Sequence, residues 1–325
     1  MTKRQRLQAT LRGEETDRVP VALWRHWPGD DQSAEDLAAA HLAFQREYDF
    51  DFVKVSPASS FSVEDWGVET HYLGNTEGTR EYVRRPVQRP ADWAALRPLD
   101  PCQGALGRQL RCLEILQEAL GHDVPFIQTV FSPLAQARHL AGDETLMAHL
   151  RQQPQALRAG LETIATSTVG FVQEVSRRGA AGIFYAVQGA NYHRLCREEY
   201  AHLGAPHDRR VLEAADGLWL NVLHLHGPHV MFDLFTDYPV AAINWHDRET
   251  PPTLAGARLL TSRALIGGLR QIETLMRGTP DQVRAEAADA LAQTGGRRFI
   301  LGTGCVAFIA SPTGNLRAAR QAVER

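Results

Sequence analysis

Eight short apolar runs rich in β-branched residues recur along this chain, separated by longer amphipathic stretches. No other feature restricts the fold as strongly. The runs are Val19–Leu23, Phe52–Ser56, Pro125–Phe131, Gly182–Val187, Leu218–Leu223, Val240–Asn244, Ala264–Leu269 and Arg298–Leu301. Helical patterns lie between or after them, at Ala34–Tyr48, Leu106–Leu120, Leu134–Leu150, Pro154–Arg177, Arg197–Gly217, Pro280–Gln293 and Asn315–Val323. Ser33 reads as an N-cap, Thr279-Pro280 as a cap followed by a first-turn proline, and Gly295-Gly296 as a helix stop. Alternating strand and helix builds a parallel sheet. Eight such units in 325 residues predict an α/β protein, a single (β/α)8 TIM barrel, a fold that takes ~250 residues before insertions. The stretch Ser59–Pro101 reads as an insertion after the second strand, lying over the barrel mouth, so one domain is expected across residues 1–325. The alternative is an open doubly wound sheet. The chain has no G-x-G-x-x-G after its first strand and no G-x-x-x-x-G-K-[ST], so no nucleotide cofactor is expected.

Hydrophobic residues make up 44% and charged residues 22%, which excludes a disordered chain. A net charge of −3 lacks the basic excess of a nucleic-acid binder. Four cysteines in so long a chain form no disulfide framework and suit a reducing, cytoplasmic setting. The opening residues lack an apolar signal core, and no uninterrupted 18-residue apolar run exists. Secretion and membrane spanning are therefore not expected.

In a barrel, chemistry sits at the C-terminal ends of the strands. Those ends carry Trp24-Arg25-His26-Trp27, Ser56-Pro57, Ser132-Pro133, Tyr185–Gln188, His224-Leu225-His226-Gly227, Trp245-His246-Asp247 and Gly302-Thr303-Gly304-Cys305. His224 and His226 are two apart, so on extended backbone both imidazoles point to one side. With Cys305 they form a His2Cys set suited to a catalytic Zn2+, leaving a fourth position for substrate or an acidic ligand. Without a metal the same residues read as hydrogen-bonded histidines and a packed thiol. Arg25 and His26 are candidates for gripping an anionic substrate group. Ser132, Gln188 and His246 are further candidate substrate contacts. Tyr185 and Asp247 are candidate catalytic groups, Asp247 as acid/base or as the orienter of a histidine.

Several segments carry a family likeness. Val124-Pro125-Phe126-Ile127 with Phe131-Ser132-Pro133-Leu134, Gly179-Ala180-Ala181-Gly182-Ile183-Phe184, Ile243-Asn244-Trp245-His246-Asp247, and Gly302-Thr303-Gly304-Cys305 with Ser311-Pro312 and Asn315-Leu316 resemble the uroporphyrinogen decarboxylase superfamily, along nearly the whole chain. That superfamily also holds zinc-dependent methylcobamide:coenzyme M methyltransferases. The resemblance implies a TIM barrel, a tetrapyrrole (porphyrin) or corrinoid ligand, a possible corrinoid carrier protein as partner, and a homodimer.

Two departures separate the chemistries. The decarboxylases resemble an "R-Q-A-G-R-Y" pattern after the first strand and carry an aspartate after the second. This chain has Trp24-Arg25-His26-Trp27 and Ser56-Pro57 there. A substrate with many carboxylates needs those cations, each bidentate contact being worth ~1.5–3 kcal/mol. The methyltransferase branch resembles "H-x-C-G" plus a later "G-C", matched here by His224-Leu225-His226-Gly227 and Cys305 with one thiolate exchanged for imidazole. The expectation is therefore a zinc-dependent methyltransferase-like enzyme using a corrinoid methyl donor. Cofactor-free uroporphyrinogen decarboxylation is the alternative, and a tetrapyrrole-binding barrel without catalysis the non-enzymatic one.

Overall fold

The computed structural model describes residues 1–324. Its centre is a curled sheet of seven parallel strands. These are β1 (Val53–Val55), β4 (Phe126–Phe131), β5 (Gly182–Gln188), β6 (Val222–His226), β7 (Ala242–Trp245), β8 (Ala264–Leu269) and β9 (Phe299–Thr303), hydrogen-bonded in that order. Every strand is buried along nearly its whole length, because helices cover the outer face and side chains fill the inner one. The covering helices are α1 (Lys3–Arg12), α2 (Ala34–Tyr48), α3 (Gly104–Leu120), α4 (Pro133–Ala141), α5 (Asp143–Gln152), α6 (Pro154–Arg177), α7 (Arg197–Leu203), α8 (Ala205–Glu213), α9 (Leu254–Leu260), α10 (Pro280–Thr294) and α11 (Thr313–Gln321). No helix among the described residues is long and apolar enough to cross a membrane.

Local chemistry places most of these boundaries. Ser33 caps α2 by accepting the Asp36 amide at 3.2 Å. Thr279 and Gln282 close a reciprocal capping box on α10, with Pro280 in its first turn. The expected helix Leu134–Leu150 is two helices, because Gly142 adopts φ +84° and ends α4 before α5 begins. Arg197–Gly217 likewise divides at Gly204, where Pro206 opens the next helix. The strand expected at Leu218–Leu223 starts later, at Val222, and extends through both histidines. The helix α1 was not anticipated.

The first apolar run, Val19–Leu23, forms no regular strand. It makes a single parallel bridge, Val21 to Leu301. Pro20 has no amide hydrogen, and the Val21 amide is taken by the Asp51 carboxylate at 2.8 Å, so the ladder cannot extend. The segment nevertheless touches both ends of the sheet. Ala22 donates to the Leu301 carbonyl in β9 at 3.0 Å, and Asp51, just before β1, donates to the Val21 carbonyl at 2.9 Å. Among the described residues the central sheet thus has seven regular strands where eight were expected.

The insertion folds as a two-stranded antiparallel hairpin, β2 (Glu69–His71) and β3 (Glu81–Arg84). Its loop reaches back over the strand ends, where Ile309 donates its amide to the Thr76 carbonyl at 2.9 Å.

Asp51 is fully buried and holds this end of the fold together. Its carboxylate accepts from Arg6 at 2.7 Å, from Arg18 at 2.7 and 3.1 Å, and from the Val21 amide. Removing one partner of such a buried network leaves charges unpaired. Asp51→Ala is expected to lower unfolding free energy by about 3–5 kcal/mol, measured by urea denaturation. A loss under 1 kcal/mol would show that the clip is dispensable.

Candidate metal centre

The inner face of the sheet is set by period-two alternation. On β5, Phe184, Ala186 and Gln188 face a cavity of about 330 Å3, and on β6 His224 and His226 do so. Register then aligns the strands: His226 lies beside Gln188, and His224 sits between Ala186 and Asn244. His246 follows β7 directly and Cys305 follows β9 by two residues. One potential ligand atom from each of His224, His226, His246 and Cys305 falls within 4.8 Å of all the others. Gly304 permits this approach, since a Cβ there would lie 2.7 Å from the His246 Cα.

Hydrogen bonds fix which ring nitrogens are free. The Asn244 amide nitrogen donates to the Ile266 carbonyl at 2.9 Å and the Thr303 carbonyl at 3.0 Å. Its oxygen must then face His224 Nδ1, 2.7 Å away, so that nitrogen carries the proton and Nε2 keeps its lone pair. His246 Nδ1 lies 3.3 Å from the Glu249 carboxylate. The Nε2 atoms of both His224 and His246 are buried without a hydrogen-bond partner. Cys305 Sγ lies 3.7 Å from His226 Nδ1. Free imidazole lone pairs, outward nitrogens held by an amide and a carboxylate, and one thiol make a donor set that fits Zn2+.

The electrostatics agree with this. Burial alone would push the Cys305 thiol up, but the surrounding imidazoles of His224, His226 and His246 outweigh it and hold the thiol well below its ordinary range. Burial opposes charge on His246, yet Cys305 and Glu249 raise its pKa to about 10. Burial lowers the His224 pKa. Deprotonated thiol and free imidazole are the forms in which such groups bind a cation.

The rest of the cavity mixes sheet and insertion. Trp24, His26, Lys54 and Phe184 form one wall, and Glu77, Tyr82 and Arg85 come from the insertion. Burial, then the neighbouring Lys54, lowers the His26 pKa to about 4. Burial lowers Lys54 to about 8. Burial and then Cys305 raise the Glu77 carboxyl.

Of the residues singled out in the sequence, His26, Gln188, His224, His226, His246 and Cys305 come together here. The others stand elsewhere. Tyr185 points to the opposite face of β5, where with Tyr200 and Tyr238 it donates to the buried carboxylate of Asp208. Asp247 turns onto the Gly268 amide at 3.1 Å. Ser132 caps α4 by accepting from the Ala135 amide at 3.2 Å. Arg25 lies 4.2 Å over the Trp27 ring, on the outer side of the strand segment. Lys54 and Glu77 were not anticipated. Lys54 left a trace, a lone charge within the apolar run Phe52–Ser56, whereas Glu77 sits in a loop with no periodicity to read.

A family model described as uroporphyrinogen decarboxylase (URO-D) matches residues 2–325. The chain is 23% identical to a methylated-thiol–coenzyme M methyltransferase of Methanosarcina mazei, over 98% of this chain and 88% of that protein. It is 22% identical to the methylcobamide:CoM methyltransferase MtaA of Methanosarcina barkeri, over 98% and 96%. In fold it is similar to a methyltransferase from Methanosarcina mazei, with TM-score 0.88, 20% identity and coverage of 99% and 98%. A B12-independent methionine synthase from Shewanella sp. W3-18-1 shares the fold less closely, with TM-score 0.59, 14% identity and coverage of 93% and 91%.

The Asn244 bridge generates a test. Asn244→Ala strands the His224 nitrogen and two carbonyls. It is expected to weaken metal binding ~10–100-fold, read by competition with a chromogenic chelator. Unchanged affinity would remove Asn244 from the metal argument.

Proposed function

The chain belongs to the uroporphyrinogen decarboxylase family, and on that premise we propose that it is a methyltransferase moving a methyl group from a methylated corrinoid to a thiol. In this reading His224, His226 and Cys305 hold Zn2+, with His246 offering the fourth donor. The observation that carries it is the four-donor cluster with two buried, unpartnered imidazole nitrogens. The names of the methyltransferase relatives support the reaction class. A cavity of about 330 Å3 has room for a small thiol beside the cluster.

Zn2+ bound there would act as a Lewis acid that keeps a thiol ionised near neutral pH. The chain's own groups do the positioning. Asn244 holds His224 by its Nδ1 proton. Glu249 holds His246 in the same manner and keeps a proton at that nitrogen. Cys305 contributes the one negative charge of the donor set. In the transfer the thiolate sulfur forms a bond to the methyl carbon. The carbon–cobalt bond breaks, and both its electrons leave with the cobalt. Trp24 and Phe184 wall the cavity with apolar surface, limiting the water around the sulfur. With His226 in place of a second thiolate, a Zn2+ held by these residues would be less electron-rich and would hold a substrate sulfur more firmly while leaving it less nucleophilic. The same reading makes the Pro20–Ala22 segment the eighth stave of one closed barrel and places the enzyme in the cytoplasm, served by a corrinoid carrier protein.

Protein purified without chelators is expected to contain close to one zinc per chain, and Cys305→Ser to reduce that content severely, both measured by elemental analysis. Near-zero metal in the wild type, unaffected by the substitution, would leave a hydrogen-bonded pocket instead. Coproporphyrinogen formation from uroporphyrinogen is expected to be absent in an anaerobic assay. Turnover on the ~1 s⁻¹ scale of ordinary enzymes would restore the decarboxylase reading.

A further inference from the structure

Two lysines stand against thirty-three arginines in this chain. One of them, Lys3, pairs with the exposed carboxylate of Asp49. The other, Lys54, lies on β1 in the wall of the cavity and is only 5% exposed. Arg80, Arg85 and Arg138 in the same wall follow the habit of the rest of the chain. A guanidinium does not release its proton in a protein, whereas a desolvated ammonium can do so and then act as a nucleophile. An amine at this one interior position, in a chain that builds its other cations from arginine, points to chemistry and not to charge alone.

The surroundings favour release of that proton. The Lys54 ammonium has three donors, yet its one hydrogen-bond partner among the described residues is Ser56 Oγ at 3.1 Å. No carboxylate pairs with it among the described residues. An ammonium taken out of water without an anionic partner is costly. Burial accordingly lowers Lys54 to about 8, against a smaller upward pull from Cys305. The other titratable groups near enough to feel its charge are His26 and His41. Burial first, then Lys54, lowers them to about 4 and about 3, so both are uncharged at pH 7. The nitrogen lies 4.8 Å from the Phe184 ring centroid, which with Ser56 fixes its position.

We infer that Lys54 is a nucleophilic amine and that the cavity takes a small aldehyde, which Lys54 captures as an imine. The lone pair of Nζ forms a bond to the carbonyl carbon, and the π electrons of the C=O bond move to oxygen. A proton passes from nitrogen to that oxygen, giving a carbinolamine. The oxygen then leaves as water with a second proton from nitrogen, and the C=N bond forms. Nothing is oxidised or reduced. Once protonated, the imine is again a cation with one N–H. It keeps the Phe184 face and the Ser56 acceptor that hold Lys54 itself. The cavity of about 330 Å3 is shared with the histidine and cysteine cluster, which limits the aldehyde to a short chain. This activity goes beyond the methyl-transfer reading and needs no metal.

The test is reductive trapping of the wild-type chain with propionaldehyde and sodium cyanoborohydride at pH 7, followed by peptide mass mapping. With two lysines in the chain the comparison is direct. Lys54 is expected to be alkylated at least ~10-fold faster than Lys3. The neutral fraction of an amine rises on the order of 10²-fold when its pKa falls from ~10.4 to about 8, and burial slows entry. The rate is expected to saturate with aldehyde concentration, as it does when the aldehyde binds before it reacts. Lys54→Arg retains the charge and is expected to abolish the calorimetric heat of propionaldehyde binding measured without reductant. Lys54→Met is the second variant should the first fail to fold. Labelling of Lys54 no faster than that of Lys3 would overturn the inference. A rate that climbs linearly without saturation, or a binding heat that persists in a folded variant, would do the same.

Discussion

The side chain of Asn244 ties this structure to its chemistry. One amide group spans four strands. It starts on β7, donates to the last β8 residue in register with it and to the final residue of β9, and accepts from an imidazole on β6. Each of these bonds is made in the dry interior, where an unpaired amide or carbonyl would be destabilising by about 1–3 kcal/mol. Strand spacing and ring tautomer are therefore decided together. If the strands slipped by one residue, Asn244 would turn to the outer face and His224 would lose the partner that frees its second nitrogen. The sheet register and the donor geometry are one constraint.

Charge is distributed around that point with some economy. Three imidazoles and one thiol surround the centre, and the outward nitrogens of two of them are anchored by groups of different character, a neutral amide for His224 and a carboxylate for His246. Cys305 together with the Glu249 carboxylate makes His246 the better proton holder, and burial makes His224 the poorer one. Chemically identical side chains thus take on different tasks because of what stands behind them. In the cavity wall Lys54 stands over the Phe184 ring and donates to the Ser56 hydroxyl at 3.1 Å.

The sequence made the sheet legible wherever alternation was clean. Gly182–Val187 and Ala264–Leu269 are strands almost to the residue, and Ala34–Tyr48 and Pro154–Arg177 are helices to the residue. Alternation also explains the successes and failures at the site. His224 and His226, two apart, were legible as a pair because period two needs no other information. Tyr185 lay one position out of phase with Phe184 and Gln188, and a strand end alone does not say which phase faces inward. Asp247 failed for another reason. It follows His246 in the chain, but the turn after β7 sends the two side chains in different directions, and that turn leaves no periodic trace. Val19–Leu23 had the composition of a strand, yet Pro20 and the distant Asp51 remove two amides that a ladder needs. Competition of that kind, from a carboxylate thirty residues away in sequence for Val21, is invisible to any local pattern.

The hairpin that carries Glu77, Tyr82 and Arg85 has a consequence for how such a protein can change. The donors come from the ends of parallel strands, where a shift of register disturbs the whole sheet. The roof comes from one excursion, anchored at its tip by the Asn75 turn and by the Ile309 amide. Residues in that excursion answer to local turn chemistry and not to the packing of the sheet. The surface that meets an incoming molecule can then diversify by ordinary loop substitution while the reacting centre stays fixed. A chain built on this plan can change what its cavity admits one loop residue at a time while the strand-end cluster beneath stays as it is.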